Sequence, residues 1–100
     1  MNSYRQGDVL LKPIEKLPEK AKKLKTKIVA EGEVTGHSHR FNDETTELYL
    51  LNGIMYAQVP FTTEIIHEDH KPLKIEKGIY EVGREREWDY FDAEMKLVKD

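Results

Sequence analysis

Short apolar runs separated by turn residues set the pattern of this chain, and helical periodicity is scarce. Val9, Leu10 and Leu11 follow Gly7-Asp8, which predicts a turn and then a strand over residues 8–14, with Pro13 marking an edge or an end. Leu17, Ala21 and Leu24 are spaced by four and three, with Pro18 suited to a first helical turn. A short helix over residues 17–25 and a mobile lysine-rich loop fit that segment equally. Residues 27–34 alternate loosely and predict a strand. The most specific local signal is ELYLL-NG-IMYAQV, two apolar runs around the Asn52-Gly53 pair that type I′ hairpin turns demand. Its register sets Leu51 opposite Ile54, Leu50 opposite Met55, Tyr49 opposite Tyr56 and Leu48 opposite Ala57. Leu48, Leu50, Met55, Ala57 and Val59 then share the face expected to meet the core.

Pro60 ends that run. Residues 61–67 predict another strand, with Phe61, Thr63, Ile65 and His67 on one side. A loop over 68–72, a strand over 73–75, a turn at 76–78 and a strand over 79–82 follow. Residues 84–88 continue as a charged edge or leave the sheet; Trp88, Tyr90 and Phe91 are read as an aromatic plug, and 96–98 as a closing strand. Seven or eight short strands with turns between them predict an all-β fold, a small barrel, sandwich or roll forming one domain.

Histidine placement changes this picture. The chain has 4 histidines in its 100 residues, and they fall in two clusters, His37-Ser38-His39 and His67-Glu68-Asp69-His70. In an extended segment, alternate side chains share a face, so His37 and His39 would stand about 6.5–7 Å apart along the backbone, within reach of one ion. Two readings compete: solvated loop residues beside the turn formers Gly32 and Gly36, or one metal site shared by the clusters.

Composition narrows the chemistry. There is no cysteine, which removes disulfides, thiolate sites and thiol nucleophiles together, so any metal must be held by imidazole and oxygen. Such a donor set suits a divalent Zn, Mn, Fe or Ni ion. The net charge of −3 gives no overall basic footprint, and nucleic acid is not an expected partner. No segment reaches membrane-spanning length and the N-terminus lacks a signal-peptide pattern, so the cytoplasm is the expected location and a membrane is not an expected partner. A small molecule is the expected ligand, with a homo-oligomer left open. Tyr49 and Tyr56 could line a ligand pocket or simply pair across strands. Arg84 and Arg86 could clamp an anion or lie solvated at the surface. Ser38 has no nucleophile elbow around it, and GEVTG lacks the lysine and helix of a phosphate loop. Whether the chain is an enzyme stays open at this level.

Three resemblances follow from these residues. His37-Ser38-His39 followed by Glu44 resembles the first motif of the cupins, small metal-binding β-barrels. The likeness implies His37, His39 and Glu44 as ligands, with His67 or His70 completing the set. Gly32 and Gly53 stand at different distances from the motif than in that family. RQGDVLL, GEVTGHSH, HEDH and KGIYEVGREREW together look like a family of small bacterial and phage proteins that carries no established activity. GDVLLKPIEK, the lysine-rich segment and IVAEGEV are similar to the ten-kilodalton co-chaperonins, which would imply a structural role.

Overall fold

Backbone geometry at Asn52-Gly53 matches what the pattern demands. Asn52 has φ 52° and Gly53 φ 79°, the two consecutive left-handed residues of a type I′ turn. They join β6 (Glu47–Leu51) to β7 (Ile54–Val59) in the expected register, Leu48 opposite Ala57 through Leu51 opposite Ile54. Leu48 and Ala57 are fully buried, whereas Leu50 is 39% exposed. Both leucines share a face, but Leu50 lies towards the hairpin tip, where the sheet runs past its core.

The structure is a computed structural model that describes residues 2–32 and 35–84. The remaining strands are β1 (Tyr4–Gln6), β2 (Val9–Ile14), β3 (Lys22–Lys23), β4 (Ile28–Glu31), β5 (Ser38–Phe41), β8 (Thr63–His67), β9 (His70–Ile75) and β10 (Gly78–Arg84). No helix occurs among the described residues, and so none long and apolar enough to cross a membrane. Two antiparallel sheets result, one in the order β1-β2-β10-β7-β6-β3 and one in the order β4-β5-β8-β9. Val9, Leu11, Leu48 and Val59 from the first face Phe41, Ile65 and Ile75 from the second. The all-β expectation holds, as a roll or sandwich; the two sheets do not close into the barrel that was its other form.

The lysine-rich segment resolves its ambiguity as neither a helix nor a free loop. Ala21 N–H donates to the Pro18 carbonyl at 3.1 Å in a turn, and Lys22–Lys23 then adds to the open edge of β6. Leu24 N–H donates to the Leu48 carbonyl at 2.7 Å, and its side chain packs on the core. An unpaired sheet edge outcompetes a helix of two or three turns, which gains little by itself. Phe61 also departs from expectation: it lies before β8 and is 67% exposed. Trp88, Tyr90, Phe91 and the strand expected over 96–98 lie outside the described residues.

At one side of the roll the edges β1 and β9 meet. The Gln6 amide donates to the Lys71 carbonyl, and Glu76 N–H donates to the Tyr4 hydroxyl at 3.3 Å. This seam is where the histidines lie.

Burial separates the two leucines of β6 sharply. Leu48→Ala should cost about 2–5 kcal/mol, as large-to-small changes in full cores do, and Leu50→Ala less than about 1 kcal/mol. Urea unfolding of both variants checks this, and equal losses would contradict the placement of the hairpin.

Candidate metal centre

Three strands deliver three imidazoles to one end of the four-stranded sheet. Phe41 and Ile65 are opposed core residues of β5 and β8, and Arg40 opposes Ile66. One step further in that register sets His39 beside His67. Both lie two residues beyond a core side chain, so both face the core side where the core runs out. The third histidine needs a different device. β8 and β9 pair as Thr63–Ile75, Glu64–Lys74 and Ile65–Leu73, a register that would place Lys71 opposite His67. Instead the register shifts between Ile65 and His67, and His70 opposes His67. Lys71 and Pro72 of β9 together stand against Ile66 of β8, as in a β-bulge, and Pro72 occupies the bulge of an edge strand, where a missing N–H is tolerated. Without this single extra residue, His70 would face away.

The result is a compact cluster. His39, His67 and His70 each offer a ring nitrogen within 4.8 Å of the others, near enough to hold a metal ion. Ring centroids are 4.3 Å apart for His39–His67, 4.8 Å for His67–His70 and 5.4 Å for His39–His70. His39 is buried, His67 half-buried and His70 exposed, so the cluster has a floor and an open mouth.

Two glycines make room for it. Gly7, at φ +61°, takes the first central position of the two-residue β1–β2 turn, where type II′ geometry requires glycine. A Cβ there would lie 2.9 Å from His70 Nε2 and 3.2 Å from His39 Cε1. Gly32 closes the other side: a Cβ on it would lie 3.1 Å from His67 Nε2 and 2.9 Å from the His37 carbonyl oxygen.

The residues around the cluster set its electrostatics. Gln6, buried before the Gly7 turn, donates from Nε2 to the Ile65 carbonyl at 3.0 Å and the Lys71 carbonyl at 2.9 Å. Its Oε1 lies 2.9 Å from His39 Nδ1. Asp69 N–H donates to His67 Nδ1 at 3.0 Å. Asp8 pairs with Arg84 at 2.7–2.8 Å, near enough to His39 for both charges to act on it. Burial alone would raise the Asp8 carboxyl, but the Arg84 guanidinium overrides this and holds it below the usual carboxylate range. His39 is pushed down to about 4, first by burial and then by His67 and His70, while Asp8 pulls the other way. Its imidazole is therefore neutral and available as a ligand across ordinary pH.

The remaining candidates take other places. His37 stands just outside the triad, with Nδ1 2.8 Å from an Asp69 oxygen and its ring 5.9 Å from that of His67. Glu68 accepts from Ser38 N–H at 3.0 Å and pairs with Arg40 at 3.0 Å. The acids of His67-Glu68-Asp69-His70 thus staple the β8–β9 turn onto the start of β5. Glu44 does not come to the cluster. It sits on the turn between β5 and β6, its backbone carbonyl accepting from Lys27, because Asp43 closes that turn through Thr45, Thr46 and Thr63. Tyr49 and Tyr56 pair in the six-stranded sheet, and the Tyr49 hydroxyl shares its one hydrogen between Glu47 at 3.3 Å and Gln58 at 3.4 Å; neither tyrosine reaches the histidines. Arg84 does reach their surroundings, through Asp8, whereas Arg86 lies outside the described residues.

Sequence reasoning missed Gln6, Gly7 and Asp8. A signal existed, since a two-residue Gly7-Asp8 turn sets Gln6 opposite Val9 on a core face, where a buried amide must find partners.

The sequence pattern that defines the family described as Domain of unknown function (DUF8820) matches residues 5–85 of this chain. No curated protein and no solved structure matches it.

Two outcomes test this geometry. In the unfolded chain His39 takes up a proton near pH 6.5, while the folded chain resists until about pH 4, so stability is full above 6.5 and declines as pH falls towards 4. Denaturant unfolding of the ion-free protein against His39→Gln, which cannot titrate, should show the wild type losing more stability across that window; parallel profiles would refute a neutral His39. Gly7→Ala should cost about 1–3 kcal/mol from its left-handed backbone and its contact with the His70 ring, as read by thermal unfolding.

Proposed function

The chain belongs to the family described as Domain of unknown function (DUF8820), and we propose from its site that it binds a divalent transition-metal ion through His39, His67 and His70. The observation that carries this reading is the convergence of three imidazole nitrogens within 4.8 Å on three adjacent strands. Zinc, iron, nickel and manganese all fit a site without thiolates, and zinc and nickel suit imidazole best among them. Three protein ligands leave at least one coordination position for water or a small anion, the arrangement of a site that exchanges ligands. The open mouth at His70 gives that position to solvent. Because imidazole ligates in its neutral form and the Gln6 amide carries no charge, a bound dication keeps its charge, and a small anion is the natural exogenous ligand. An ion there would polarise such a ligand or acidify a bound water. The carboxylate ligand implied by the cupin resemblance is not part of this reading.

His37 and Asp69 lie beside the triad rather than in it, and His37 is the residue to separate a three-ligand from a four-ligand site. A second reading has one observation in its favour. His39 and His67 each already engage a protein group, the Gln6 amide and Asp69 N–H, so the cluster can also stand as a hydrogen-bonded seam that recognises a partner without metal.

Elemental analysis and calorimetric titration with Zn, Ni, Mn and Fe(II) distinguish the two. Near-stoichiometric binding by the wild type, lost in His39→Ala and in His67→Ala and retained in His37→Ala, is the expected result. At a hundredfold excess of ion over its dissociation constant, stability should rise by about 2.7 kcal/mol. No binding of any of the four ions would sink the metal reading in favour of the seam.

A further inference from the structure

Gln6 does more than fill the seam. An amide shows its oxygen and nitrogen as near equals in shape, but here the orientation follows from its neighbours. One end lies against two backbone carbonyls, those of Ile65 and Lys71, at 3.0 and 2.9 Å. Carbonyl oxygens only accept, so that end is the NH2 group and both of its hydrogens are used. The other end, Oε1, is then an acceptor, and the ring nitrogen 2.9 Å from it, His39 Nδ1, must carry the hydrogen. Nδ1–H leaves Nε2 of the neutral ring with a bare lone pair.

We infer that Gln6 is a positioning residue that fixes His39 in the Nδ1–H form and so presents Nε2 as a ready-made ligand. The inference rests on the metal reading for its consequence but not for its geometry. Gln6 is itself buried, at 4% exposure, and His39 is equally so, which leaves water little access to compete for Nδ1. His67 offers a contrast. Its Nδ1 accepts from Asp69 N–H, so its neutral ring carries the hydrogen on Nε2. An ion taken up at His67 must therefore displace Asp69 N–H, either by binding Nδ1 itself or by binding Nε2 after the hydrogen has moved to Nδ1. His39 alone of these two is prepared in advance, and it is the buried floor of the cluster. It acts as the fixed ligand, and His67 adapts. Partners that orient a ligating histidine in this way are worth about 10–100-fold in metal affinity.

The test compares the wild type with Gln6→Leu and Gln6→Glu. Both variants lose the donors to Ile65 and Lys71, but Gln6→Glu keeps an oxygen acceptor for His39 Nδ1. A long-range proton–nitrogen NMR correlation spectrum of the isotopically labelled, ion-free wild type should show a protonated Nδ1 and a bare Nε2 at His39, and the reverse at His67. Bare Nδ1 at His39 would overturn the inference whether or not any variant folds. In the variants, zinc titration is read beside circular dichroism. Gln6→Leu should lose the His39 signature and bind zinc about 10–100-fold more weakly, while Gln6→Glu keeps both. Equal weakening in the two folded variants would mean that Gln6 acts only through the carbonyls of Ile65 and Lys71, and would overturn the positioning role. A wild type that binds no zinc yet shows protonated Nδ1 would end the metal reading and leave the tautomer assignment standing.

Discussion

One buried amide ties the two sheets together where the histidines lie. Three of the four hydrogen-bonding positions of the Gln6 side chain are used, and each goes to a different strand: Ile65 on β8, Lys71 on β9 and His39 on β5. β1 itself belongs to the other sheet. A buried polar group at such a junction is costly unless it is satisfied, which makes the arrangement stringent. Moving β1 by one residue would replace Gln6 with Arg5 or Gly7, and neither supplies the same pattern of donors and acceptor.

The second constraint is the register shift in β9. It turns His70 onto the face of His67 and has Lys71 and Pro72 share the place of one residue, beside the carbonyl that Gln6 reaches. The His67–His70 turn would stand free of β5 were it not for Glu68 on Ser38 and Arg40, and Asp69 on His37. Charged residues beside histidines invite reading as ligands. Here Glu68 and Asp69 hold strands together, and the three groups that converge are imidazoles.

The Asn52-Gly53 hairpin was legible because its information is local: two residues fix the turn, and the turn fixes five pairs. The clustering of the histidines was legible as well; it pointed to the three members of the triad together with His37, which stands beside them on Asp69. The place of Glu44 was not legible, because the turn that carries it is closed by Asp43 and tied to Thr63, a residue on another strand. The lysine-rich segment carried helical spacing yet joined β6, since the local pattern contains no record of an unpaired edge elsewhere. Gly7-Asp8 was legible as a turn, but the place of Gln6 and Gly7 beside the histidines was hidden for the same reason. What makes them matter is a set of neighbours far away in the chain, reached only through the pairing of strands.

That separation has a consequence for how the chain matures. His67 and His70 face each other across a two-residue turn, so they can meet as soon as that short hairpin forms, on the microsecond scale of such events. His39 comes from some 30 positions earlier, and Gln6 must meet carbonyls 59 and 65 residues further along. Closing spans of that length is slow and carries the larger entropic cost. On a ribosome, β1 emerges before β5, β8 and β9, and its amide lacks these partners until β9 has been made. A strand made early is thus locked late, and a fully ordered histidine cluster marks a chain whose two sheets have met.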